Sequence, residues 1–275
     1  MIPRANITAW RARAPWPSNA QVEQDLVLSR ALIAMFKNEI VSQQAVFRGG
    51  TALHKLFFDT AGRYSEDIDL VQRAAGPIGE LAGAIREALD PWLGKPKWRQ
   101  KQGRFMLVYR FDTTFSPEVR TRLKIEINTR EHFSVFDISR RELVVDNPWF
   151  SGTAELPVYE LDELLGTKLR ALYQRKKGRD LFDLWLALRF TSADPARIVE
   201  CFQRYMAHDD NSASKAQFQA NVANKLRDNV FLEDLQLLVP PNIEYDPISA
   251  ATLVQDQLVA RLPGEAWKSA GSKEI

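Results

Sequence analysis

Between residues 65 and 71 the chain alternates acidic and aliphatic side chains, Ser65-Glu-Asp-Ile-Asp-Leu-Val, and this period of two commits the segment to a β-strand. Ile68 and Leu70 then face a core, and Asp67 and Asp69 share the opposite face. At an effective dielectric of about 20, two like charges ~4 Å apart repel by roughly 4 kcal/mol, so the pair calls for a cation or a shared proton. A hard divalent cation such as Mg²⁺, which is usually held by one or two carboxylates together with substrate phosphates, meets that need. Glu126 alternates with Lys124 on a later strand and supplies a third carboxylate if that strand lies beside the first.

About sixteen residues upstream, Ala45-Val-Phe reads as a short strand, Gly49-Gly50 as a turn, and Thr51 to Phe58 as a helix opened by a hydroxyl residue. Glycines at a helix start let backbone N–H groups approach a phosphate, and the helix N-terminus favours an anion there. Taken singly, a Gly-Gly is an ordinary turn and an Asp-x-Asp an ordinary solvated edge. Their order, strand, Gly-Gly, helix, strand with Asp-x-Asp, is more specific, and it suits phosphoryl or nucleotidyl transfer.

The surrounding texture sets the fold class. Residues 19–44 have helical periodicity and form one amphipathic helix or a helix pair; 77–93 is a helix, and 105–111 and 120–128 are strands. From Leu161 onward the pattern is helical, with candidates at 161–175, 180–190, 195–207, 213–227, 230–238 and 248–262. The chain therefore reads as α+β, an N-terminal α/β domain (1–155) with a mixed sheet followed by a C-terminal helical domain (156–275).

Two strings in the helical part carry charge inward. Leu161, Leu164, Leu165, Leu169 and Leu172 form one stripe, and Lys168 falls on or beside it. Such a lysine either meets an anion, a triphosphate or a carboxylate cluster, or packs its stem on leucines and snorkels outward. Asp180 opens the next helix, where an acid stabilises the helix dipole by ~0.3 to 1 kcal/mol whatever else it does.

Phe47-Arg-Gly-Gly-Thr-Ala-Leu-His-Lys-Leu with Arg63-Tyr-Ser-Glu-Asp-Ile-Asp-Leu resembles the first motif of the AbiEii/AbiGii-toxin-like nucleotidyltransferases of the DNA polymerase β-like superfamily. Asp162-Glu-Leu-Leu-Gly-Thr-Lys-Leu-Arg-Ala-Leu resembles that family's lysine motif, and Lys177-Gly-Arg-Asp-Leu-Phe-Asp-Leu its Arg-Asp-x-x-Asp-Leu motif. The resemblance covers roughly residues 45–190 and implies a polymerase β-like catalytic domain, with the helical domain contributing Lys168 and Asp180 to the active site. It further implies Mg²⁺ on Asp67 and Asp69, with Glu126 the third ligand if its strand lies beside theirs, nucleoside triphosphate contacts from Gly49, Gly50, Thr51, Ser65 and Lys168, and an acceptor hydroxyl activated by Asp180. An RNA acceptor, with the 3′ end of tRNA foremost, and a cognate antitoxin complete the implied biology. A nucleotide-binding sensor without turnover and a metal-dependent nuclease are the competing readings of the same residues.

Charge and composition bound the partners. Thirty-seven Lys and Arg against 35 Asp and Glu leave a net charge of +2, so any charge-driven function is local. Bases concentrate in 95–110 (Lys95, Lys97, Arg99, Lys101, Arg104, Arg110, interleaved with Trp98, Phe105 and Tyr109) and in 168–179, a composition suited to single-stranded or looped RNA. A lone Cys201 and three scattered histidines give neither a disulfide nor a zinc-type cluster. With no signal-peptide-like start and no long apolar run, the expectation is a cytoplasmic protein that does not enter a membrane.

Overall fold

The computed structural model describes residues 2–59, 62–115 and 120–267. They divide into two compact units: residues 1–160 with Leu238–Pro241, and residues 161–237 with those from Asn242 onward.

The first unit holds helices α1 (Arg4–Trp10), α2 (Asn19–Phe36) and α3 (Glu39–Gln44), strand β1 (Ala45–Arg48), helix α4 (Gly49–Leu56), strand β2 (Asp67–Gln72) and helix α5 (Gly79–Leu93). Strands β3 (Lys97–Lys101), β4 (Arg104–Asp112), β5 (Arg120–Asn128), β6 (Ile138–Val145) and β7 (Gly152–Tyr159) follow. The expected helix over 19–44 is a pair: Asn38 breaks it, its side-chain oxygen accepting from the amides of Ile40 and Val41 and so starting α3 afresh.

All seven strands join one mixed sheet in the order β3-β4-β5-β2-β1-β7-β6. β2 runs antiparallel to β1 and parallel to β5, and β7 runs parallel to β1. One face of the β4-β5-β2 half is sealed: Leu107, Tyr109, Leu123, Ile125, Ile127, Ile68 and Leu70 are all buried. On that side Gln24 of α2 donates to the Arg122 carbonyl and accepts from the Thr121 hydroxyl. Apart from Val71, which is also buried, the alternate residues of the same strands reach solvent in part or in full.

A boundary at residue 155 would cut through β7, whose Val158 pairs with Phe47 of the interior strand β1, and the division falls after Glu160 instead. Residues 238–241 also return to the sheet unit, where the Leu238 carbonyl accepts from the Tyr64 amide at 2.7 Å. Four elements lack a periodic apolar signature and were not expected: α1, β3, β6 and β7. β3 is exposed along its whole length, three charged residues occupy the middle of β6, and Pro157 interrupts β7.

The second unit is helical: α6 (Leu161–Gln174), α7 (Gly178–Phe190), α8 (Pro195–His208), α9 (Lys215–Lys225), α10 (Asn229–Glu233) and α11 (Pro247–Gln257), then a 3₁₀ turn at Val259–Arg261. α10 is shorter than the expected 230–238, and the expected 248–262 helix ends at Gln257. α6 and α8 approach so closely at Gly166 that a Cβ there would lie 2.3 Å from Cys201 Cβ and 2.9 Å from the Ile198 carbonyl oxygen. Tyr173, Phe202 and Phe218 pack edge-on and stacked beneath them, with ring centroids 5.2 to 6.4 Å apart.

Candidate active site

In the sheet unit, β1 runs straight into α4, and the two glycines are the first residues of that helix rather than a separate turn. Gly49 has φ +83°, a left-handed conformation open to glycine at little cost. It also stands against Asp69: a Cβ there would lie 2.3 Å from Asp69 Oδ2. At Gly50 a Cβ would meet the Arg63 guanidinium at 2.5 Å and Ser65 Oγ at 3.3 Å. The glycines therefore let the start of α4 sit directly on the acidic end of β2 and beside Ser65.

Asp67 and Asp69 lie on the open face of the sheet, in register with Lys124 and Glu126 of β5. Lys124 Nζ is 2.6 Å from Asp67 Oδ2 and 3.7 Å from Glu126 Oε2. Burial raises the Asp67 carboxyl above the usual carboxylate range; the Lys124 contact pulls it back, and Asp69 and Glu66 add to the rise. Arg48, in register with Asp69, pairs with Glu131 at 2.7 Å. Burial works against its charge, but Glu131, Tyr159 and Asp69 outweigh burial and hold it above the ordinary arginine range. Lys124 and Arg48 are thus parts of the site that motif reading passed over. Their signal was in the sequence, as a lysine alternating with Glu126 and an arginine abutting Gly49.

Two expected roles change in this geometry. Thr51 is buried, with its Oγ1 2.5 Å from the Asp67 carbonyl oxygen and 2.8 Å from Ser65 Oγ. The hydroxyl is committed to clamping α4 to β2 and placing Ser65. Glu126 is engaged by Arg104 at 3.0 Å, and among the described residues no three ligating side chains are gathered into a metal cluster. The donor set that fits a divalent cation is the Asp67–Asp69 pair, hard oxygens on one face, leaving the remaining positions to water and substrate phosphate.

In the helical unit, Lys168 is buried and its partners are carboxylates of α7: Asp183 Oδ2 at 2.8 Å and Asp180 Oδ1 at 3.3 Å. Arg175 adds two bonds to Asp180, at 2.7 and 2.8 Å. Burial would raise the Asp180 carboxyl, yet Lys168 and Arg175 together hold it below its ordinary value. A buried carboxylate with both oxygens occupied is a weak proton acceptor, so activation of a hydroxyl is a poor description of Asp180. Asp183, the second acid of the Arg-Asp-x-x-Asp-Leu string, makes the shorter contact to Lys168.

A sheet with this strand order, a Gly-Gly helix start and an Asp-x-Asp strand defines a nucleotidyltransferase. A family model described as nucleotidyl transferase AbiEii toxin, type IV toxin–antitoxin system, matches residues 30–257, and the chain belongs to that family. Among solved structures it is similar to MenT4, a nucleotidyltransferase toxin from Mycobacterium tuberculosis (TM-score 0.64, 15% identity, 96% of this chain and 91% of that one). It is similar also to JHP933 from Helicobacter pylori (TM-score 0.57, 19% identity, 88% and 92%). At these identities the likeness is one of fold. No curated protein matches the chain.

Proposed function

We propose that this toxin-family nucleotidyltransferase uses Mg²⁺ to transfer a nucleotide from a nucleoside triphosphate to a hydroxyl at the end of an RNA, with tRNA the preferred acceptor, in the cytoplasm. The acceptor oxygen attacks the α-phosphorus, the α–β phosphoanhydride bond breaks, pyrophosphate departs with the bonding electron pair, and the hydroxyl proton passes to solvent. The carrying observation is the seating of Gly49 against Asp69, which brings helix-start amides and a carboxylate pair to one place.

Asp67 and Asp69 would hold the cation, which when bound offsets charge on the attacking and leaving oxygens. The amides of Gly49 and Gly50 and the Ser65 hydroxyl bind the β- and γ-phosphates, and Thr51 keeps Ser65 in position. Lys124 neutralises Asp67 until the cation takes over that role. From the motif strings alone we assign to Lys168 the charge on the departing pyrophosphate; Asp180 and Asp183 hold its ammonium in place.

The test is incorporation of each labelled nucleoside triphosphate into total tRNA. Asp67→Asn should reduce incorporation by at least about a hundredfold, the scale on which removal of transition-state charge stabilisation is felt, with folding unchanged by circular dichroism. Undiminished incorporation in that variant would remove Asp67 from the chemistry.

A further inference from the structure

The open face that carries Asp67 and Asp69 does not end at β5. In register across the sheet, Asp67 aligns with Lys124, Val108 and Lys97, and Asp69 with Glu126, Met106 and Arg99. Continuous pairing along β4 and β5 places Arg110 and Arg122 on the same face, directly opposite one another. Lys97, Arg99, Lys101, Arg110 and Arg122 are all exposed, and among the described residues none has a carboxylate within ion-pair distance. By contrast, Arg104 is matched by Glu126 and Arg120 by Asp112.

Two like charges placed directly opposite on neighbouring strands destabilise a sheet. Here the opposed pair lies two residues along β5 from Lys124, which touches Asp67. It also lines a groove at the start of β5 with Glu66 and Arg120, and with Gln24 and Thr121 from the sealed side, in which Glu66 is the single acid among the described residues. The basic edge strand β3 lies three strand spacings from β2, about 14 Å at ~4.8 Å per strand. That reach suits a few linked phosphates.

The aromatics of this region do not share the face. Phe105 and Tyr109 are buried on the sealed side, and Trp98, stacked on Phe105, projects to that side from the edge strand. The stacking platform expected from the interleaved sequence is therefore absent from the catalytic face, where the contacts on offer are charges for a backbone.

Resting on the reading of this site as a nucleotidyl transfer centre, we infer that the open face of β3-β4-β5 is the track for the single-stranded end of the polynucleotide acceptor. The Arg110–Arg122 pair grips a backbone phosphate next to the reacting end, and Lys97, Arg99 and Lys101 take phosphates further along. Recognition is of phosphate rather than base, so the track tolerates sequence and responds steeply to salt.

The probe is a fluorescent single-stranded RNA oligonucleotide titrated with the whole protein by anisotropy over a series of KCl concentrations. Alongside it, KM for the RNA acceptor and kcat are measured in the incorporation assay. Each phosphate contact removed lowers the salt slope by about 0.7 for a single strand. Arg110→Gln with Arg122→Gln, which removes one phosphate contact, should therefore lower the slope by about 0.7 and weaken binding several-fold. It should raise the acceptor KM, leave the KM for nucleoside triphosphate unchanged, and keep or raise Tm because the like-charge opposition is gone. Arg189→Gln, on an exposed arginine of the helical unit, should change none of these.

Wild-type affinity and slope in the double variant overturn the track while leaving nucleotidyl transfer intact. If the wild type binds the RNA with the arginine-dependent slope yet incorporates no nucleotide into any RNA, the catalytic reading fails and the track stands. Displacement of the RNA by poly-glutamate at equal charge concentration overturns the nucleic-acid assignment in favour of an acidic protein segment.

Discussion

Gly49 shows how much one hydrogen atom can decide. Its φ of +83° costs most residues about 1 to 3 kcal/mol, and a methyl group there would intrude to 2.3 Å from a carboxylate oxygen of Asp69. Gly49→Ala should therefore lose most incorporation activity and also lower stability. Gly83→Ala serves as the control, because a Cβ at that position in α5 meets nothing within 4 Å; thermal denaturation should show it more stable by roughly 0.5 to 1 kcal/mol. Lys168 poses a different question. Its loss leaves Asp180 and Asp183 buried without their shared cation, and breaking such a pair costs about 3 to 5 kcal/mol. Lys168→Ala should show that loss in urea denaturation, and its incorporation must be assayed where the variant remains folded. Asp67→Asn, at a partly exposed position, should keep its melting temperature while losing activity, which separates a site residue from a structural one.

At the scale of elements, helix ends and helix approaches fix the helical unit. The ammonium of Lys225, on α9, donates to the carbonyls of Leu172 and Tyr173 at the C-terminal end of α6, where a cation is favoured by unpaired carbonyls and by the dipole. Burial nevertheless pushes it down to about 8 from an ordinary 10.5, against the opposing pull of Asp180. Below pH 8 both folded and unfolded chains carry the proton and the penalty is constant. Between about 8 and 10.5 the unfolded chain binds more protons, so stability rises with pH. Urea denaturation at pH 7.5 and 9.5 should show the wild type gaining stability relative to Lys225→Met; equal changes in both proteins would mean that Lys225 titrates as an exposed lysine. β5, by contrast, is legible from its residues alone. Its strict alternation over 120–128 predicts the strand to the residue, because one face is sealed and the other open. β3 and β6 are not legible in that way, since edge strands with exposed faces carry no apolar period to read.

For the whole molecule, the small net charge conceals a partition. The sum of +2 combines carboxylates at Asp67 and Asp69 with unmatched bases along the same sheet face. No helix among the described residues is long and apolar enough to cross a membrane. The cores of both units are mainly apolar side chains, with buried charges paired within them as in Lys168, Asp180 and Asp183, and no ligating cluster among the described residues. Chelation with EDTA should therefore abolish incorporation and leave the far-ultraviolet circular dichroism spectrum unchanged, with Mg²⁺ restoring activity. Loss of the folded signal on chelation would instead make the metal part of the fold. In cells, production of the wild-type chain without an antitoxin should arrest growth, and Asp67→Asn should relieve the arrest.

The sequence alone determined the α+β class, the helical character of everything after Leu161, and the pairing of Gly49-Gly50 with Asp67-x-Asp69. These are local matters of period, glycine placement and charge spacing along a few residues. Partnerships between distant segments were decided by tertiary structure. Lys124 meets Asp67 because a parallel pairing sets their register, Glu126 turns to Arg104 because β4 lies alongside, and Asp183 joins Asp180 on one lysine because α6 and α7 pack. An ion pair's partner depends on which strands and helices are neighbours, and only burial of the two cores selects those neighbours. The same register sets five unmatched bases on the sheet face that carries Asp67 and Asp69, and buries Phe105 and Tyr109 on the other, so the expected aromatic platform is replaced there by charge.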